Sequence, residues 1–91
     1  MVEKNVKVKL PLLLRKFAGG QEVVEVAGYD ITECLGNLTA QFPDLRKWLF
    51  TKQGEEVATH VRLFVNGEQA SAGASLQDGD ELSILIAVSG G

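Results

Sequence analysis

Residues 30–43 carry both boundaries of a helix, and they mark the one long helical pattern in the chain. Asp30 is a good N-cap, because its side-chain oxygen can accept an N–H that the first turn leaves unpaired. Glu33, three residues on, completes a variant of the capping box. Ile31, Leu35, Leu38 and Phe42 then follow at spacings of 4, 3 and 4, which places them on one helical face. Pro43 closes the segment, since the residue before proline is pushed out of the α region. Gly36 costs about 1 kcal/mol relative to alanine in a helix. Its expected benefit is a close approach of the helix backbone to a neighbouring sheet.

The segments around this helix have a different period. Val6, Val8 and Leu10 alternate with Lys7 and Lys9, as in a strand with one face buried. Pro11 follows at the strand end, where a missing N–H is tolerated. Leu12, Leu13 and Leu14 carry apolar material into a turn, and Gly19-Gly20 marks a reversal. Residues 22–26 form a second strand and complete a hairpin. Beyond the helix, Leu45, Trp48, Leu49 and Phe50 predict a short helical turn packed back on the core. Residues 51–59 are polar and read as a surface loop. Val61, Leu63 and Val65 alternate with Arg62 and Phe64, a third strand. Asn66-Gly67 is a tight reversal, because a type I′ turn needs positive φ at both central positions. Residues 68–70 make a short fourth strand. Asp78-Gly79-Asp80 is a further turn, and residues 81–87 are the last strand, with Leu82, Ile84 and Ile86 on one face. The order β-β-α-β-β-β predicts an α+β domain, one mixed sheet of about five strands packed on one main helix. The domain is expected over residues 1–87, with residues 88–91 as a flexible tail.

Composition excludes several function classes. At 91 residues and 45% hydrophobic content, the chain suits one small folded domain. A net charge of −3 gives no support for nucleic-acid binding. No apolar run approaches the roughly 20 residues that cross a bilayer. The charged start lacks the apolar core of a secretory signal, and a lone cysteine excludes an internal disulfide framework, so the cytoplasm is the expected location. One His and one Cys do not make a zinc site of the usual kind, and no metal or bound cofactor is expected. There is neither a phosphate-binding GxxxxGK[ST] loop nor a GxGxxG. No catalytic set is expected, because it would have to be built on His60 alone. Cys34 reads as a small core residue, Trp48 as a plug of the core or its rim, His60 as a solvated side chain, and Asp78 and Asp80 as turn formers.

The last segment, with Asp78-Gly79-Asp80-Glu81, the apolar Leu82, Ile84 and Ile86, and then Val88-Ser89-Gly90-Gly91, resembles the end of the MoaD/ThiS family of ubiquitin-like sulfur carriers. Leu63-Phe64-Val65-Asn66-Gly67 is similar to the family's penultimate hairpin. Leu14-Arg15 and Gly19-Gly20-Gln21 resemble its CysO-like subgroup. Many MoaD-type members carry proline shortly before the terminal glycines; Ile84-Leu85-Ile86-Ala87 has none. The resemblance implies the β-grasp fold, with the first and last strands paired in parallel at the sheet centre.

It also implies a chemistry located at Gly91. In the family the terminal carboxylate attacks ATP and becomes an acyl-adenylate, and a sulfur donor displaces AMP to leave a thiocarboxylate. The implied partners are a MoeB/ThiF-like adenylating enzyme, which uses the ATP, a sulfur donor protein, and an acceptor enzyme. That acceptor is the molybdopterin synthase large subunit or a cysteine synthase. The carrier supplies no catalytic residue; it is a protein co-substrate, and on the molybdopterin branch a small synthase subunit. Gly90 and Gly91 lack Cβ atoms and fit a narrow channel, with Ser89 and Val88 completing the tail. Alternation independently predicts that Phe64, Leu85 and Ala87 face away from the core, as an apolar patch beside the tail root. Ubiquitin-like proteins use a comparable sheet face for their activating enzymes. The same activated terminus would serve a protein modifier joined to lysines, and a non-covalent β-grasp interaction module is a third expectation.

Overall fold

A computed structural model describes residues 4–51 and 56–87. The expected tail residues Val88, Ser89, Gly90 and Gly91 lie outside the described residues, as does the middle of the expected 51–59 loop. The elements run β1 (Asn5–Lys9), α1 (Leu12–Arg15) with a 3₁₀ turn at Lys16–Ala18, β2 (Val23–Ala27) and α2 (Ile31–Gln41). A 3₁₀ turn at Pro43–Leu45 leads into α3 (Arg46–Leu49), then β3 (Val61–Val65), β4 (Glu68–Ala70) and β5 (Glu81–Ile86). The strands form one sheet in the order β2-β1-β5-β3-β4. β1 and β5 pair in parallel at its centre, with Val8 opposite Leu82, and the other pairings are antiparallel. This is the expected α+β arrangement, a mixed sheet with helices on one face.

Alternation decides which face is covered. Val6, Val8, Leu63, Leu82 and Ile84 point to the helical side and are buried there against Ile31, Leu35 and Leu38 of α2, together with Leu14, Leu45, Leu49 and Leu76. Burial of this apolar surface, at about 25 cal/mol per Å², is the main driving term for the domain. The opposite face carries Lys7 and Lys9 of β1 and Leu85 of β5, all exposed.

α2 begins where Asp30 predicts. Asp30 Oδ1 accepts the Glu33 N–H at 2.8 Å, while Glu33 Oε1 accepts the Tyr29 N–H at 2.8 Å. The reciprocal bond therefore reaches one residue before the cap instead of the cap itself. The helix ends at Phe42, whose φ of −128° and ψ of 82° lie outside the α region, as Pro43 requires. The expected role of Gly36 is not found, since a Cβ there would meet open space. The close approach is at Gly28, where a Cβ would sit 2.7 Å from Cys34 Cα and 2.8 Å from Cys34 N. The leucine run also differs from the expected turn. Leu12–Arg15 is helical, so consecutive side chains fan around an axis: Leu14 is buried, while Leu12 is 78% and Leu13 46% exposed.

The turn motifs are tied together. Asn66 and Gly67 have φ of 52° and 89°, the positive pair of a type I′ turn. Asn66 Nδ2 donates to Asp80 Oδ1 at 2.9 Å, and Asn66 Oδ1 accepts the Glu81 N–H at 3.0 Å. Asp80 Oδ2 accepts the Gln77 N–H at 2.8 Å, and Asp78 Oδ1 accepts the Asn5 N–H at 2.9 Å. These bonds lock the β3–β4 hairpin, the Asp-Gly-Asp turn and the start of β1 at one end of the sheet.

Candidate functional site

The opposite end of the sheet carries Ala87, the last described residue before the expected tail. β5 runs parallel to β1, so it finishes beside Leu10 and Pro11 and not beside the locked turns. The Ala87 N–H donates to the His60 carbonyl at 2.7 Å, the last backbone bond among the described residues before position 88. The bond ties the last described residue to the residue that precedes β3. His60 is not simply solvated, because its Nε2 lies 2.8 Å from the Trp48 carbonyl. A carbonyl can only accept, so that nitrogen carries the proton. The contact pins the β3 start to α3.

On the open sheet face, register places Phe64 opposite Ser83, and Ser83 opposite Lys9. Leu85 lies opposite Arg62, one step nearer the tail. Phe64 is half-buried, Leu85 is 48% exposed and Ala87 is exposed. Phe64 and Leu85 line one shallow groove of about 340 Å³ with Lys9, Pro11, Arg15 and Ser83. Ala87 follows one residue after β5 and does not line it. Sequence reasoning missed the far wall of this groove, contributed by Pro11 and Arg15, and the exposed Leu12 and Leu13 that follow Pro11. The signal was present: of three consecutive leucines in a helix, at most one can point squarely into the core.

The remaining chemistry-bearing side chains stay structural. Cys34 is fully buried in α2, and burial, with lesser contributions from the carboxylates of Asp30 and Glu33, pushes its thiol up to about 12. It is inert as a nucleophile near neutral pH. The Gln77 backbone N–H, then the Asn66 side chain, hold the Asp80 carboxyl below its ordinary value. Trp48 packs against Phe17 with ring centroids 6.1 Å apart, as a rim plug. Among the described residues no group of three or more His, Cys, Asp or Glu could hold a metal ion. No helix among them is long and apolar enough to cross a membrane.

A mixed five-stranded sheet with a parallel β1–β5 centre and one main helix across it defines a ubiquitin-like β-grasp protein. The chain belongs to the ThiS family, whose model matches residues 8–91. It is 32% identical over 92 residues to the sulfur carrier protein CysO of Mycobacterium tuberculosis, covering 96% of this chain and 99% of that one. Among solved structures it is similar to the small archaeal modifier protein 1 of Methanosarcina acetivorans, with a TM-score of 0.88, 30% identity and full coverage of both chains. It is also similar to a chain of the BexX/CysO complex of Amycolatopsis orientalis, with a TM-score of 0.82 and 30% identity over 94% of this chain and 99% of that one.

Proposed function

We propose that this protein carries sulfur as a thiocarboxylate on Gly91. The family match running through Gly90 and Gly91 carries this proposal. The protein is a carrier and not a catalyst: a carboxylate is a poor electrophile, and its activation is the work of partners. A carboxylate oxygen of Gly91 attacks the α-phosphorus of ATP in a MoeB/ThiF-like adenylating enzyme, and pyrophosphate leaves. Sulfide, delivered by a sulfur donor protein, attacks the acyl carbon and AMP leaves, giving the thiocarboxylate with no change of oxidation state. The carrier binds no cofactor of its own. Its contribution is positional, with Gly90, Ser89 and Val88 spanning from the sheet to the partner's active centre and Phe64, Leu85 and Ala87 docking beside the tail root. Such contacts offset the entropy lost when a tail is ordered.

A cysteine synthase is the preferred acceptor over the molybdopterin synthase large subunit. The similarity to CysO and the absence of proline before the tail support that choice. The free Cys34 thiol is in keeping with the cytoplasm as the working compartment. Co-expression with the adenylating enzyme and a sulfur source, followed by intact mass spectrometry, tests the proposal. One oxygen should be exchanged for one sulfur, and a terminus that never makes this exchange with its true partner overturns the reading. Gly91→Ala places a methyl beside the reacting carbon. A displacement of about 1 Å can cost on the order of 100-fold in rate, so adenylate formation should fall by about that factor with thermal stability unchanged.

The likeness to small archaeal modifier protein 1 favours a second use of the same terminus, conjugation to lysines. Lysine-linked Gly-Gly remnants in digested cell extract distinguish it, since a pure carrier leaves none.

A further inference from the structure

Asn66 is the one asparagine in the chain that precedes a glycine; Asn5 precedes Val6 and Asn37 precedes Leu38. Gly67 has no Cβ to screen its backbone nitrogen, and both residues are exposed to solvent. Once base removes its proton, that nitrogen can attack the side-chain amide carbon of Asn66. A bond forms between Gly67 N and Asn66 Cγ, the Cγ–Nδ2 bond breaks, and ammonia leaves a five-membered succinimide. Water then opens the ring at either carbonyl, giving an aspartate or an isoaspartate whose main chain runs through Cβ. Nothing is oxidised or reduced, and water is the only co-reactant. The folded turn opposes the first step. Ring closure needs Cβ and the Gly67 nitrogen nearly eclipsed about the Cα–C bond. That ψ is far from the roughly +30° of the first central residue in a type I′ turn. Asn66, with φ of 52°, is that residue. Its side chain is also held at both ends: Nδ2 donates to Asp80 Oδ1 at 2.9 Å, and Oδ1 accepts the Glu81 N–H at 3.0 Å. Its own backbone N–H donates to the Glu81 carbonyl at 2.9 Å.

We infer that Asn66 is a deamidation site gated by the fold: the closed β3–β4 turn holds it back, opening of that turn releases it, and the product does not rebuild the lock. Both the backbone ψ and the two side-chain bonds must give way before the ring closes, so the reaction proceeds from the opened hairpin. The product faces a changed neighbour. Exchange of the amide nitrogen for oxygen removes the donor to Asp80 Oδ1 and leaves two carboxylates where a hydrogen bond stood. Asp80 thereby loses one of the bonds that hold its carboxyl below the ordinary value. The isoaspartate form also lengthens the main chain of a two-residue turn whose register sets Val65 opposite Glu68. The modification is therefore suppressed in the native protein and destabilising once made, and it is independent of any chemistry at Gly91.

The test holds the parent in mildly alkaline buffer, unfolded in guanidinium chloride or folded in an equal concentration of sodium chloride. Peptide mass spectrometry follows the gain that replaces NH by O at Asn66. Deamidation in the folded protein should be slower than in the unfolded chain on the order of 10-fold or more. Asn5 and Asn37 should stay unchanged in both. Asp80→Ala removes the acceptor of Asn66 Nδ2 and should speed the folded-state reaction severalfold, with the unfolded rate as in the parent. Asp78→Ala removes the acceptor of the Asn5 N–H and no bond to Asn66, so it should match the parent. Melting curves first confirm that each variant folds. Asn66→Asp, the normally linked product, should melt below the parent. Asp80→Asn combined with it should recover part of the loss, because a donor again faces a carboxylate. Equal Asn66 rates in the folded and unfolded parent overturn the proposal. So does an equal acceleration by Asp78→Ala, which would reduce the effect to general loss of stability, and so does an Asn66→Asp protein as stable as the parent.

Discussion

Gly28 has no room for a side chain. An added Cβ meets the Cα and N of Cys34 at 2.7 and 2.8 Å, and those are backbone atoms of α2 that cannot rotate away. Gly28→Ala should therefore lower stability by about 1–3 kcal/mol, read as a shift in urea midpoint, while Gly36→Ala should be neutral or stabilising. Asp80 offers a pH test. Its carboxyl is held below its ordinary value of 3.8, so in the interval between the two values the unfolded chain binds more protons than the native one. Stability from this group is complete above the ordinary value and is lost as pH falls through the lowered one. Urea midpoints of the parent should drop on acidification below about pH 4, and Asp80→Asn should flatten that drop. Cys34, with its thiol pushed up to about 12, should resist thiol reagents in the native protein and react only after denaturant opens the core.

At the scale of elements, α2 depends on its cap more than on its length. Asp30→Ala removes the acceptor of the Glu33 N–H and should cost about 1 kcal/mol, measurable by the same urea midpoints. The cap, the apolar stripe and the stop at Pro43 were all legible in sequence, because each depends on residues within one or two turns. The turn chemistry at Asn66-Gly67 was legible for the same reason. The run at Leu12–Arg15 was less so, since an apolar triplet fits the end of a strand, a turn or a helix equally well until a core exists to bury only Leu14.

For the whole molecule, the two ends of the sheet have different tasks. One is locked by hydrogen bonds among Asn5, Asn66, Gln77, Asp78 and Asp80; the other holds Ala87, the last described residue, through the His60 carbonyl. The described core is built by the strands and helices of residues 6–84, and on the proposed reading deletion of residues 88–91 should leave the melting temperature unchanged while abolishing adenylation. This variant separates the scaffold from the proposed reacting terminus, as a point change in the groove does not.

The order of the strands and the main helix, and the buried face of β1, β3 and β5, were legible in sequence alone. Period, capping and turn propensity are local properties. Which elements meet was decided by tertiary structure. The Asn5 amide finds Asp78 73 residues away, Lys9 comes to lie beside Ser83 and Phe64, and His60 reaches the Trp48 carbonyl. Alternation says that Phe64 and Leu85 face outward, but not that Pro11 and Arg15 line the same groove or that Arg15 is held there by Glu22. The shared groove follows from the parallel pairing of β1 with β5, which burial of both strands against α2 stabilises and which no local pattern in either strand records.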